Sequence, residues 1–249
     1  MHARFRLPCL ALRGSGPAAA AAGADRKHVG EESGVKVVVA GGHGQIALIL
    51  QRLLTEAGHE AVGIIRNPDQ AGDLERIGSG ALVLDLEYTE AETLAAHLDG
   101  ADAVVFAAGG GPNSGAARKL TMDRDGAILL ADAAQAAGVR RYLMVSAIGT
   151  DDYEPDSDEV FQIYLRAKSE ADANLRARDL DWTVVRPGGL TNDPPTGLIR
   201  IASSTGRGTV PRADVAAVLA YLLESGAAVR AQFELISGDT PIAEALAGL

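Results

Sequence analysis

The chain has 249 residues, 47% of them hydrophobic, and a formal net charge of −10, a balance that suits a globular protein with one sizeable core. The acidic balance argues against a nucleic-acid surface, no apolar run approaches the roughly 20 residues that span a bilayer, and the single cysteine, Cys9, excludes an intrachain disulfide. These features suit a reducing, cytoplasmic compartment, and any anionic ligand would need a local positive spot.

Residues 1–34 hold Arg, Gly, Pro and an alanine run without sustained periodicity and read as a disordered extension. Arg4, Arg6 and Arg13 beside a short apolar stretch leave a targeting peptide open, although that stretch is interrupted and too short for a good signal core. From residue 35 onward, strand-like and helix-like segments alternate. Strands are predicted at 35–40, 60–65, 81–84, 103–107, 141–145, 182–185 and 232–236, where short apolar, often β-branched runs suit strands buried on both faces. Helices are predicted at 45–57, 125–137 and 161–177, where apolar residues recur at three- and four-residue spacing. Gly58, Gly100 and Gly138 sit where left-handed helix caps are expected. The alternation predicts an α/β fold, a doubly wound parallel sheet in a single domain over 35–249, with ligands at the carboxyl ends of the strands. The segment after Pro187 is too short for an independent substrate domain and forms a small substrate-lining portion.

The first predicted junction reads "VKVVVAGGHGQIALIL". Gly41-x-x-Gly44-x-x-Ala47 leaves a strand and opens a helix. Gly41 permits a tight turn, Gly44 lets backbone approach a pyrophosphate, and Ala47 lets helix and strand touch. Amide hydrogens of the helix start then supply the local positive spot. A glycine-rich turn without a ligand has the same composition. At the end of the second strand stands Arg66, where preference for NAD would need an acid. A guanidinium there suits a 2′-phosphate, so NADP is favoured and NAD is possible. Further along, "YLRAK" puts Tyr164 and Lys168 on one helical face. An ammonium nearby is expected to lower the phenol's pKa, so that the tyrosine exchanges a proton with a carbonyl oxygen. Ser146, at a strand's carboxyl end, is placed to hydrogen-bond the same oxygen; alone it would read as a turn or cap residue.

The ordered segments "AGGHGQIA", "IIRN", "LDL", "YLMVSAIG", "YLRAK", "VVRPGGLT" and "PRADVA" resemble the short-chain dehydrogenase/reductase superfamily. Their order is similar to its atypical branch of NAD(P)H-binding Rossmann-type proteins, which includes biliverdin reductase B-like flavin reductases and bacterial sugar epimerase-like proteins. The resemblance runs from about residue 35 to 246. It implies that Gly41, His43, Gly44, Gln45 and Ile46 line the pyrophosphate and ribose, Arg66 holds the 2′-phosphate, and Asp85 and Leu86 border the adenine. It further implies that Ala107, Ala108 and Gly109 pass beneath the cofactor and that Pro187, Gly188, Gly189 and Leu190 flank the nicotinamide. Ser146, Tyr164 and Lys168 match the superfamily's catalytic positions. Departures are Ala47 for a third glycine, His43 in the loop, and Gln70 where a second basic residue often helps grip the 2′-phosphate. An active-site asparagine has no certain counterpart, with Asp123 and Asp125 nearby.

The implied function is an NAD(P)H-dependent oxidoreductase that transfers hydride to a small carbonyl, quinone or flavin-like substrate. Alternatives are a non-catalytic NADP(H)-binding regulator and an NAD(P)-dependent sugar epimerase. The acidic run from Asp151 to Glu159 reads as a solvated loop or as a lid that repels anionic substrates. His43, His59 and His97 lack metal-site spacing, so no metal is expected. A small-molecule substrate is the expected partner, with neither nucleic acid nor membrane; the pattern leaves oligomeric state open.

Overall fold

Strand β1 (Lys36–Ala40) shows how the sequence builds two layers. Its side chains alternate across the sheet. Val37 and Val39 enter one apolar cluster and Val38 and Ala40 the opposite one. The computed structural model describes residues 34–111 and 113–249. The expected extension over 1–34 therefore lies, except for Gly34, outside the described residues.

After β1 come α1 (Gln45–Glu56), β2 (Glu60–Ile65), α2 (Ala71–Glu75), β3 (Gly80–Val83), α3 (Ala91–Ala96) and β4 (Ala103–Phe106). A short α4 (Ala116–Arg118) runs into a π-helical stretch (Lys119–Gly126) and then α5 (Ala127–Ala137). Next are β5 (Arg141–Val145), α6 (Val160–Arg176), β6 (Asp181–Pro187), β7 (Gly189–Thr191), β8 (Leu198–Ala202) and β9 (Thr209–Pro211). The described chain closes with α7 (Arg212–Ser225), β10 (Ala231–Ser237), β11 (Thr240–Pro241) and α8 (Ile242–Leu246).

The nine-stranded sheet runs β11-β8-β10-β6-β5-β4-β1-β2-β3, and β7 pairs with β9 apart from it. From β3 to β10 the strands are parallel; β8 is antiparallel to both β10 and β11. This is the expected doubly wound α/β sheet. Its winding reverses between β1 and β4, and the crevice opens at that point beyond the strands' carboxyl ends. One face is covered by α1, α7 and α8 through residues such as Leu50, Leu54, Val215, Leu219 and Leu246. The other is covered by α3, α5 and α6 through Leu94, Leu130, Ala171 and Leu175.

Several boundaries differ from the sequence pattern for physical reasons. β6 extends to Pro187 because Arg186, a charged residue that reads as a strand end, is buried at 5% exposure among carboxylates. The helix expected from 125 starts its α-helical part at Ala127, after the π-helical turn. Gly138 caps α5 with a left-handed φ of +75°, whereas Gly100 lies beyond the end of α3, in the turn closed by the Ala101 amide and the Leu98 carbonyl. The strands β7, β9 and β11 are two or three residues long, too short to show a period, and five-residue β8 alternates only through Ile199, Arg200 and Ile201.

Candidate active site

The glycine loop is shaped by contacts that leave no room for side chains. Gly41 has φ +79°, and a Cβ there would lie 2.6 Å from the Ala108 Cα. A Cβ on Gly42 would meet the Gly63 Cα at 2.5 Å. The Gly44 amide donates to the Gly41 carbonyl at 2.8 Å, and the Gly42 amide donates to the Ile64 carbonyl at 2.8 Å. From inside, fully buried Gln51 donates to the Gly42 carbonyl (2.7 Å) and the Ala47 carbonyl (2.9 Å), and accepts from the Ser79 hydroxyl (2.7 Å). No side chain caps the start of α1, so its first-turn amides remain available to an anion. His43 Nε2 stands 2.6 Å from Asp73 Oδ2, and this hydrogen bond, with help from Arg76, holds the Asp73 carboxyl below the usual carboxylate range.

Two clefts lie beside this loop and meet at the Ala107–Ala108–Gly109 segment. The first, about 340 Å³, is lined by Gly41, His43, Gly44, Arg66, Asp85, Leu86 and the Ala107–Ala108–Gly109 segment. Asn67, Gln70 and Arg118 complete its polar wall. Arg118 is a second basic side chain beside Arg66, which the sequence pattern sought at Gln70. The second cleft, about 650 Å³, shares Ala107, Ala108 and Gly109 with the first and adds Ile46, Ser146, Tyr164, Lys168 and Leu190. Val160, Phe161, Lys119 and Asp123 also line it. A cramped glycine turn, an uncapped helix start and two arginines, with clefts on both sides of one shared segment, fit the parts of a nicotinamide dinucleotide: phosphates at the turn, adenosine on one side, nicotinamide on the other.

Within the second cleft, Tyr164 and Lys168 stand one turn apart on α6. The Lys168 ammonium, 3% exposed, donates to the Val145 carbonyl at 3.1 Å and lies 3.5 Å from Asp123 Oδ1. Asp123 also accepts from the Gly110 amide at 2.9 Å. Of the two acids near the expected asparagine position, Asp123 thus belongs to the cleft, while exposed Asp125 pairs with Arg124. Asp123 sits in the π-helical turn, a distortion often found at functional sites. Lys119 donates to the Gly111 carbonyl at 2.6 Å, with its ammonium 5.2 Å from the centre of the Tyr164 ring.

The expected lowering of the Tyr164 pKa does not occur. Burial pushes the phenol up, and the negative charges of Asp123 and Asp172 push it further. The Lys168 charge is instead directed to Asp123 and a carbonyl. Ser146 Oγ donates to Asp172 Oδ2 at 2.8 Å. Asp172 also accepts from Arg186 Nε at 2.9 Å, and Arg186 grips Asp151 through both terminal nitrogens at 2.6 and 3.0 Å. Burial raises the Asp172 carboxyl against the opposing pull of Arg186 and Ser146, and its Oδ1 has no partner among the described residues.

Four residues named from the sequence line neither cleft: Gln45, Pro187, Gly188 and Gly189. The Gly188 amide donates to the Leu235 carbonyl, and a Cβ there would stand 2.4 Å from the Gly208 carbonyl oxygen. Its glycine serves close packing between β6, β10 and the chain leading into β9. Asp172, Arg186, Arg118 and Gln51 escaped the sequence reading, since charged or amide side chains on helices and strands ordinarily face water. The i, i+4, i+8 spacing of Tyr164, Lys168 and Asp172 is the signal that could have found Asp172.

These features define a dinucleotide-binding protein of the Rossmann type. A family model described as NAD(P)H-binding matches residues 41–226, and the chain belongs to that family. An uncharacterized sugar epimerase of Bacillus subtilis, YhfK, is 40% identical over 214 residues, covering 85% of this chain and 99% of that protein. A solved structure from Bacillus halodurans, described as a candidate NAD-dependent epimerase/dehydratase, superposes with a TM-score of 0.80 at 37% identity, covering 87% of this chain and 100% of that one. The oxidoreductase ylbE of Lactococcus lactis gives a TM-score of 0.74 at 26% identity, over 86% of this chain and 96% of that one. No helix among the described residues is long and apolar enough to cross a membrane.

Proposed function

We propose that the protein is an NADPH-dependent reductase of small carbonyl, quinone or flavin-like substrates, with Tyr164 as proton donor. The observation that carries this reading is the convergence of Tyr164, Lys168 and Ser146 on a cleft that shares its floor with the glycine-loop cleft. A reduced nicotinamide, when bound, would supply the hydride to the substrate. Gly41, Gly44 and the start of α1 hold the phosphates, with Ile46 and the Ala107–Gly109 segment forming the floor. Tyr164 gives its phenolic proton to the substrate oxygen that gains charge. Lys168, fixed by Val145 and Asp123, stabilises the tyrosinate that results, which regains its proton from water at the cleft mouth. Ser146, whose hydroxyl hydrogen goes to Asp172, presents lone pairs to the cleft and accepts from a substrate N–H or O–H beside Tyr164. Val160, Phe161 and Leu190, which are 41%, 62% and 37% exposed, offer an apolar wall to a flat substrate.

The relatives are named for two chemistries, oxidoreduction and epimerisation. A phenol pushed up by burial and two carboxylates rests protonated, the form from which a reduction starts, whereas oxidation of a sugar hydroxyl starts from the base form. The Ser146–Tyr164–Lys168 set favours turnover over a purely regulatory role. The single cysteine supports action in the cytoplasm. The test is calorimetric titration with NADPH and NADH, followed by NADPH oxidation with a panel of quinones, flavins and carbonyls. Tight NADPH binding with turnover on at least one panel member is expected. Binding without turnover on any member overturns the reductase, and tightly held nucleotide interconverting a sugar without net oxidation installs the epimerase.

A further inference from the structure

Lys119, Lys168 and Asp123 are the charged residues that line the second cleft. Lys168 and Asp123 offset each other at 3.5 Å. Lys119 has no ion-pair partner among the described residues. It sits at the start of the π-helical turn after α4 and is 7% exposed. One of its ammonium hydrogens goes to the Gly111 carbonyl at 2.6 Å, and the ammonium stands 5.2 Å from the centre of the Tyr164 ring. In an acidic protein this cleft therefore carries one uncompensated positive charge, set against an apolar wall of Ile46, Val160, Phe161 and Leu190.

An ammonium taken out of water without an anion beside it is unfavourable. The Gly111 carbonyl does not require it, because Gly111 is exposed and water can serve that carbonyl. A ligand that brings the missing negative charge turns the penalty into a charge-assisted hydrogen bond. A single ammonium matches a carboxylate in charge, whereas a phosphate monoester carries close to two negative charges, and no second unpaired cation lines this cleft among the described residues. The acidic run that ends at Glu159 directly precedes Val160. Its exposed carboxylates are screened by salt over about 8–10 Å and act most strongly against multiply charged molecules. We propose that Lys119 is the seat for a carboxylate on the substrate, so that the second cleft takes flat, apolar monocarboxylates whose reducible group reaches Tyr164. Lys119 selects and orients the substrate and exchanges no proton with it. This substrate class rests on the reading of the second cleft as the site of a reductase.

The test is calorimetric titration of the full chain, with and without saturating NADP+, using naphthalene-2-carboxylate and naphthalene-2-carboxamide, which share a shape and differ in charge. The carboxylate should bind about tenfold more tightly or better. In Lys119→Met, which keeps an unbranched stem and loses the charge, that ratio should fall to about one, while NADP+ affinity stays within about twofold. Lys119→Arg keeps the charge and should retain most of the ratio. The Tm of ligand-free Lys119→Met should equal or exceed that of the unaltered protein, because an uncompensated buried charge is gone. No preference for the carboxylate in the unaltered protein overturns the proposal, as does a preference that survives in Lys119→Met. An equal loss of NADP+ and carboxylate in Lys119→Met gives the lysine to the cofactor, and a clearly lower Tm or failure to fold makes it a structural strut; either overturns the proposal. If NADPH reduces no carbonyl, quinone or flavin, the reductase reading falls, and the Lys119-dependent ratio still decides whether the cleft has an anion seat. If turnover is found and the ratio does not depend on Lys119, only the seat falls.

Discussion

Ser146 donates its hydroxyl hydrogen to Asp172 across 2.8 Å, and Asp172 has no exposed surface. With its hydrogen committed inward, Ser146 faces the cleft through its lone pairs. The same carboxylate continues through Arg186 to Asp151, so the beginning of the acidic segment after β5 is tied to the floor of the site. Asp152, Glu154, Asp156, Asp158 and Glu159 are exposed, as a solvated loop would have them; Asp151 is the member of the run that has a structural anchor.

Asp172→Asn keeps the side-chain shape but replaces a charged acceptor with a neutral one, which loosens the orientation of Ser146. It should lower kcat about tenfold on the best substrate of the panel while NADPH affinity stays within about twofold. Ser146→Ala in the same background should then add little, because the two residues act as a unit. Independent, multiplying losses would separate Asp172 from Ser146.

Tyr164→Phe should reduce kcat by about 10²–10⁴-fold with nucleotide affinity nearly intact. Because the phenol is pushed up from its ordinary value of 10.0, its donor form persists to higher pH than in water. Reduction should therefore show no Tyr164-dependent decline between about pH 7 and 10. A kcat decline centred near about pH 8 that vanishes in Tyr164→Phe would mean that the tyrosine ionises early, contrary to its surroundings.

Asp151 is held below the usual carboxylate range, first by its hydrogen bonds to Arg186. A carboxyl lowered on folding adds stability above its unfolded pKa, and that stability is lost as pH falls through the folded value. Asp151→Asn should thus lower Tm at pH 7, and the difference from the unaltered protein should close below about pH 4. The Asp151 side chain is 56% exposed, so the effect is small and shrinks further in high salt. Asp172 has the opposite sign: its raised carboxyl is a charge the interior resists, and acidification relieves it. Differential thermal melts at pH 7 and about 3.5, with and without added salt, read this out.

Gln51→Ala strips the glycine loop of its internal strut. It leaves the Gly42 carbonyl without its side-chain donor in the interior, while the Ser79 hydroxyl keeps the Ala61 carbonyl, and should cost about 1–3 kcal/mol. NADPH should also bind more weakly, because the loop that must hold the phosphates is no longer fixed. Chemical denaturation gives the first quantity and calorimetry the second. Full stability with full affinity would show that the loop holds its shape without Gln51.

The features legible in the sequence are those set by neighbours on the chain. Apolar runs in alternation with three-and-four spacing gave the doubly wound sheet, since each strand and helix must bury its own apolar face whatever lies beyond it. Gly41 and Gly44 were legible because a left-handed turn and a close backbone approach restrict residue type locally. The one-turn spacing of Tyr164 and Lys168 follows from helical geometry alone. Pro187, Gly188 and Gly189 were expected beside the nicotinamide by resemblance, but they line neither cleft, and the chain uses Gly188 for close strand packing, a purpose that needs Gly208 and Leu235 to be in view.

The amino-acid order by itself therefore determined the α/β layering, the position of the glycine turn and the pairing of Tyr164 with Lys168. Only the tertiary structure decided which charges meet: Lys168 with Asp123, Ser146 with Asp172, Arg186 with Asp151, and Arg66 and Arg118 with Glu87. These partners lie on separate elements, and the sign of their effect depends on distance through space and on exclusion of water. That is why burial first, and then two carboxylates, rather than the lysine one turn away, set the direction in which the Tyr164 phenol is moved.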